Sequence, residues 1–232
     1  MTNFLPDLIL TNPVHIDYPL FRKFIKDSRK RFNKAIIVFT DMNVPDLDYR
    51  QHIRKTMAED KVTFLKCLPA EANEDWRNKA IKMALTVSTS DWICFMEQDF
   101  IVKEGFFEDM EALSQRVDVF GYYQDERLHP CCIYIKRALL DKTCKNFSPI
   151  PDISDHFSRI QRDLEKKDIL IGVIPHRIAD HMNGLSQNIH ILQEGGEPNY
   201  NPEAFRKYCE ECLTVEDIHP DFKKLFEWYL EK

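Results

Sequence analysis

The apolar residues of the chain fall into short blocks whose period switches between that of a strand and that of a helix. Residues 8–11 form an apolar run that stops at Asn12-Pro13 and predicts a first strand. Residues 18–32 predict a basic helix, with Leu20, Phe21, Phe24 and Ile25 at helical spacing. Residues 35–39 (Ala-Ile-Ile-Val-Phe) are too continuously apolar for a half-exposed strand. Such a run suits a strand covered on both faces, as in parallel sheets. A weaker helix over 48–58 and a strand over 62–66 follow. Residues 73–88 predict a helix with an apolar stripe of Trp76, Ala80, Met83, Ala84 and Val87. Residues 91–96 (Asp-Trp-Ile-Cys-Phe-Met) predict a buried strand with Glu97-Gln98-Asp99 at its carboxyl end. Then come a helix over 106–115, strands over 117–123 and 131–135, a short helix from Arg137, a helix over 153–166 and a last strand over 169–174. Beyond Asp180-His181-Met182-Asn183-Gly184 the pattern is irregular until two helices, over 199–213 and 222–230.

Alternation of strand and helix through about the first 115 residues predicts an α/β/α sandwich with a mainly parallel central sheet and C-terminal helices. We read one domain over residues 1–190 and a helical extension, 191–232, packed on it. Ligands of such sheets bind beyond the carboxyl ends of the strands. The polar residues at those ends are Asn12, Asp41, Glu97 and Asp99, with His181 after the last strand.

Composition narrows the class. The 232 residues are 44% hydrophobic and 30% charged, which supports a packed core and excludes a disordered tail. Six glycines argue against a glycine-built phosphate loop. Runs such as Leu8-Ile9-Leu10 fall far short of the roughly 20 apolar residues of a membrane span. The first residues lack the charged start and long apolar stretch of a signal peptide. A net charge of −6 counts against a nucleic-acid-coating protein, which needs clustered cations. Seven cysteines, an odd number with no export signal, read as reduced thiols of a cytoplasmic protein.

Glu97-Gln98-Asp99 is the first place where chemistry can reside. Residues i and i+2 of an extended segment point to one side. Two carboxylates so placed can hold Mg²⁺ or Mn²⁺, the hard cations that bridge substrate phosphates. The plain alternative is a solvated acidic turn. Arg77, near the start of the preceding helix, offers a guanidinium to a phosphate or a base carbonyl, or is a surface arginine.

Arg77-x-x-Ala80-x-x-x-Ala84, followed by Asp91-Trp92-Ile93-Cys94-Phe95-Met96-Glu97-Gln98-Asp99, resembles the family-2-type glycosyltransferases of the GT-A fold. In that family an R-x-x-A-x-N-x-A segment precedes G-D-(aromatic)-I-x-F-x-D-x-D. Lys82 stands here for the usual Asn, Ser90 for Gly and Glu97 for the first Asp. Ile36-Ile37-Val38-Phe39-Thr40-Asp41 is similar to the family's I-I-V-V-D-D. The motif likeness covers about residues 73–100, and the layout roughly 7–185. The resemblance implies a Rossmann-like GT-A fold and a metal-dependent hexosyltransferase acting on a nucleotide-diphosphate sugar, a UDP-sugar first among them. It implies that Thr11, Asp41, Arg77, Glu97 and Gln98 bind the donor, and that Asp99, Glu97 and His181 bind Mn²⁺ or Mg²⁺. The Glu for Asp change lengthens one carboxylate by a methylene, so direct coordination can fall on Asp99 alone. The acceptor stays open among a saccharide, a lipid-linked sugar, a protein and a modified DNA base. Two other classes share the layout: a catalytically silent nucleotide- or partner-binding domain, and a nucleotidyltransferase.

In inverting members an acidic residue near a helix start deprotonates the acceptor hydroxyl. Asp155 takes that place, with Asp152 close by; both also suit helix capping. His181 is a metal ligand or a hydrogen-bonding loop residue, and His176 competes for the same role. Cys209-Glu210-Glu211-Cys212 has half the spacing of a zinc site but no second pair, so buried thiols are the simpler reading. Arg22, Lys23, Lys26, Arg29, Lys30, Arg31 and Lys34 form a basic cluster, either a solvated face or an approach for a phosphorylated acceptor or a membrane surface.

Overall fold

The computed structural model describes residues 4–40, 48–58, 61–67, 75–124, 127–148 and 157–232. In chain order the elements are β1 (Asp7–Pro13), α1 (Pro19–Asp27), β2 (Lys34–Thr40), α2 (Arg50–Thr56), β3 (Val62–Cys67), α3 (Trp76–Val87), β4 (Trp92–Met96) and β5 (Phe100–Val102). They continue as α4 (Phe106–Ser114), β6 (Val119–Gln124), β7 (Arg127–Lys136), α5 (Arg137–Leu140), α6 (Ser158–Glu165), β8 (Gly172–Val173), β9 (Ala179–His181), α7 (Leu185–Gln193), α8 (Pro202–Cys212) and α9 (Pro220–Glu231).

A seven-stranded sheet runs in the order β3-β2-β1-β4-β7-β6-β8. The pairings β1–β2, β2–β3, β1–β4 and β6–β8 are parallel, and only β7 runs against its neighbours. The expected mainly parallel sheet is therefore present. Alternation along each strand sorts the core into two layers. Leu8, Leu10, Ile37, Phe39, Cys94 and Met96 join one apolar cluster with residues of α1, α2, α4, α7, α8 and α9. Ile9, Ile36, Val38, Ile93 and Phe95 join the other, with residues of α3, α5 and α6. The continuous β-branched runs are continuous because both faces are covered. Phe205, Tyr208, Phe222 and Phe226 of the last two helices belong to the first cluster.

Buried polar residues fix how β1 and β2 enter the sheet. The Asp7 carboxylate accepts hydrogen bonds from Asn33 Nδ2 (2.7 Å), Ser88 Oγ (2.7 Å), Thr89 N (2.6 Å) and Ser90 N (2.9 Å). Burial opposes its ionisation, yet these bonds outweigh burial and hold its pKa below the usual carboxylate value.

The structure differs from the sequence pattern in three places. The helix expected over 18–32 ends at Asp27 and passes into a 3₁₀ turn, Arg29–Arg31. The strand expected over 169–174 pairs only at Gly172–Val173, and Leu170 is 73% exposed. Its neighbours Ile169 and Ile171 pack on the second apolar cluster without joining a ladder, which makes the run apolar without making it a strand. From residue 179 onward, where the sequence pattern predicts neither strand nor helix before 199, the chain forms β9 and a nine-residue helix, α7, whose Leu185, Ile189 and Leu192 are buried. That helix carries no side-chain cap; its N-cap is Gly184 at φ +81°. A Cβ at Gly184 would also lie 2.5 Å from Cβ of Tyr200, so the turn that leads from β9 into α7 requires glycine for both backbone and space.

Candidate functional site

Strands β1 and β4 run side by side, so their carboxyl ends deliver Thr11 and Glu97-Gln98-Asp99 to one edge of the sheet. Gln98 Nε2 donates to the Thr11 carbonyl, which ties the two strand ends together. Helix α3 starts at the same edge. Asp75 caps it, accepting from Arg77 N (3.0 Å) and Asn78 N (3.3 Å). The cap sets the first turn so that Arg77 Nη1 reaches Glu97 Oε1 at 2.8 Å. Thr11, Arg77, Glu97, Pro130 and Phe157 line a small recess there.

Asp99 faces a different partner. The two-stranded sheet β5–β9 pairs Phe100 with His181, and Met182 N donates to the Asp99 carbonyl at 2.9 Å. This brings His181 Nε2 to 3.4 Å from Asp99 Oδ2. The other Asp99 oxygen, Oδ1, is buried with no hydrogen-bond partner. His181 Nδ1 lies 3.3 Å from Gln124 Oε1. With Nδ1–H donating to that carbonyl oxygen, Nε2 turns a lone pair toward Asp99. Glu97, Asp99 and His181 each place a ligand atom within 4.8 Å of the others. A buried carboxylate oxygen without a donor, beside an imidazole nitrogen, fits a divalent cation.

A further histidine, His129, reaches the same edge although nothing in the strand and helix pattern marks it. It sits near the start of β7, which runs antiparallel to β4 and so turns its beginning, not its end, to the ligand edge. Its ring centroid is 4.4 Å from that of His181. Burial, and then the neighbouring His181, pull its pKa down to about 4, so the ring is neutral at physiological pH. The His-x-Cys spacing in a strand, which puts His129 and Cys131 on one face, was the signal available. His176 is turned elsewhere: its Nδ1 meets the Tyr122 hydroxyl at 2.8 Å. Beyond Asp99 a cavity of about 390 Å³ opens between Phe21, Phe24, Phe100, Met182 and Tyr208.

Asp41, Asp152 and Asp155 lie outside the described residues. Cys209 and Cys212 are buried thiols, the first pushed up to about 12 by burial, and no group of three metal-ligating side chains forms around them among the described residues. The cations of the basic cluster on and after α1 are largely paired. Arg22 is buried against Asp17 and Asp217, Lys26 binds Asp217 and Arg31 binds Glu108. No helix among the described residues is long and apolar enough to cross a membrane.

No protein-family model matches the chain, and no curated protein matches it by sequence. Solved structures do. A mannosyltransferase from Pyrobaculum calidifontis, solved with GDP-Man and Mn²⁺, aligns with a TM-score of 0.56 at 12% identity, over 99% of this chain and 73% of that one. Glucosyl-3-phosphoglycerate synthase from Mycobacterium tuberculosis, solved with Mn²⁺, UDP and phosphoglyceric acid, aligns with a TM-score of 0.56 at 11% identity, over 84% of this chain and 80% of that one. The same synthase with Mg²⁺ and UDP gives a TM-score of 0.55 at 10% identity. The fold is that of the GT-A glycosyltransferases.

Proposed function

We propose that the chain transfers a sugar from a nucleoside-diphosphate donor to an acceptor hydroxyl with the help of Mn²⁺ or Mg²⁺. The observation that carries this reading is the Asp99–His181 pair at the sheet's carboxyl edge, with the Asp99 Oδ1 buried and without a donor. Asp99 and His181 would hold the cation, whose charge neutralises a departing diphosphate. Solved GT-A proteins carrying UDP or GDP-Man with a divalent cation share this fold, which favours a nucleotide-sugar donor. We take a UDP-sugar as the first donor to test.

In this reading Glu97 acts through Arg77. Its longer side chain reaches the guanidinium at 2.8 Å and aims it into the recess beside Thr11. There the cation binds the non-reacting part of the donor, while Gln98 keeps the β1 and β4 ends in register. Asp41 is assigned to the nucleotide base. The acceptor is a saccharide, a lipid-linked sugar, a protein or a modified DNA base, and the protein works in the cytoplasm.

Asp155 is the proposed general base of an inverting transfer. Asp155→Asn keeps the shape of the side chain but loses the proton acceptor. Donor binding should stay intact while transfer falls by about 10²-fold or more, the usual scale of general-base help. Initial rates with the mutant, alongside calorimetry of donor binding, check this; normal rates would remove Asp155 from the reaction.

The test of the function is calorimetry with UDP- and GDP-sugars, with and without Mn²⁺, coupled to detection of released nucleotide. Mn²⁺-dependent binding with turnover is expected. Binding without turnover would make the chain a nucleotide-binding module. Consumption of a nucleoside triphosphate with pyrophosphate release would make it a nucleotidyltransferase.

A further inference from the structure

We propose that His129, Cys131 and His181 form a second, softer metal site that takes Zn²⁺. The three side chains each place a ligand atom within 4.8 Å of the others. His129 and Cys131 are two apart on β7 and so lie on the same side of the strand, and the His181 ring packs 4.4 Å, centroid to centroid, from the ring of His129. Two imidazoles and a thiolate are donors for Zn²⁺, not for Mg²⁺, which takes oxygen ligands and keeps its waters. Three protein ligands leave a fourth, tetrahedral position for water.

The topology explains why this set stands beside a carboxylate site. Glu97 N donates to the Cys131 carbonyl at 2.9 Å, so the β7 residues that carry the soft ligands are bonded to the turn that carries Glu97 and Asp99. His181 belongs to both sets, one rich in carboxylate and one without any. Ligation changes two local bonds. Zinc takes the Cys131 sulfur as thiolate, so one proton leaves to solvent. His129 gives up the 3.2 Å contact that its Nδ1 accepts from Cys131 N, because a metal-bound imidazole either uses Nδ1 for the metal or keeps its proton there. In the reading of the function above, Zn²⁺ at this site withdraws His181 from Asp99, so it competes with Mn²⁺ although most of its ligands are different.

Cobalt makes the site visible without any activity. The full chain, stripped of metal, is titrated with Co²⁺ and followed by absorption, then back-titrated with Zn²⁺. The expected result is a thiolate-to-cobalt charge-transfer band in the near ultraviolet that saturates near one equivalent and is erased by Zn²⁺. Cys131→Ser removes the band, while Cys209→Ser keeps it. His129→Gln, on a residue that is only part-buried, should weaken Co²⁺ and Zn²⁺ binding by about tenfold or more without unfolding the protein. Absence of the band, its survival in Cys131→Ser, or unchanged zinc affinity in His129→Gln each overturn the proposal. Binding of UDP with Mn²⁺ is measured on the same samples and should be unchanged in His129→Gln when zinc is absent. Loss of nucleotide binding from the wild-type chain with the cobalt band intact would refute the glycosyltransferase reading and leave the zinc site standing.

Discussion

Asp99→Asn should weaken Mn²⁺-dependent binding of a nucleoside diphosphate by roughly 100-fold or more, since even residues that only orient a metal ligand cost 10–100-fold when lost. The substitution is nearly isosteric and leaves the Met182 N–H bond to the Asp99 carbonyl in place, so the β5–β9 pairing and the position of His181 persist. What changes is the charge beside His181 Nε2, 3.4 Å away, and the oxygen that has no donor. Metal-independent binding, carried by Arg77 and its neighbours, should change little. Calorimetry of UDP with and without Mn²⁺ separates the two contributions. Equal Mn²⁺ enhancement in mutant and wild type would remove Asp99 from the metal. Arg77→Ala is the complement: it should raise the donor KM more than it lowers kcat, because it acts on the part of the donor that does not react.

The same residues show what the sequence could reveal and what it could not. The runs over β1, β2 and β4 are legible because a strand buried on both faces must be apolar at every position, and each ends where polar residues resume. Glu97-Gln98-Asp99 is legible for the same reason: a polar triplet directly after such a run sits at a sheet edge. The division of labour inside the triplet is not legible. That Glu97 pairs with Arg77 while Asp99 faces His181 depends on the cap at Asp75 and on a strand of three residues, β9, pairing with another of three, β5. Elements so short carry too little period to be recognised. Helix α7 escaped for a different reason, its start being a left-handed glycine in place of a capping side chain. His129 is hidden because the strand that bears it is antiparallel, so its residues reach the ligand edge from the wrong end of an α/β pattern.

The basic cluster on α1 marks where charge counting misleads most, and it leads to the second large effect. Arg22 reads as one cation of a solvated face, yet its side chain is only 4% exposed and that of Asp17 is 0% exposed. Arg22 Nε and Nη2 donate to the two Asp17 oxygens at 2.7 and 2.9 Å, and its Nη1 reaches Asp217 Oδ1 at 2.7 Å and Thr56 Oγ1 at 3.2 Å. Nη2 also donates to the Asp217 carbonyl at 3.0 Å, and His52 Nε2 meets the same oxygen at 2.9 Å. One guanidinium therefore joins the segment before α1, helix α2 and the segment between α8 and α9. Burial opposes the Arg22 charge, and the Asp17 carboxylate more than offsets that, raising its pKa. Asp17→Ala should cost about 3–5 kcal/mol, because it leaves a buried cation short of its main partner. At about 2–4 °C per kcal/mol for a chain of this size, the melting temperature should fall by roughly 6–20 °C. Removing the charge as well, in Asp17→Leu with Arg22→Met, should recover most of the loss, since a buried pair replaced by apolar groups of similar volume is often neutral. Thermal unfolding of the single and double variants decides the matter. A double variant as unstable as the single would mean that the loss comes from packing around α1 and not from the stranded charge, and the network would then be a consequence of how the C-terminal helices dock, with no part in holding them.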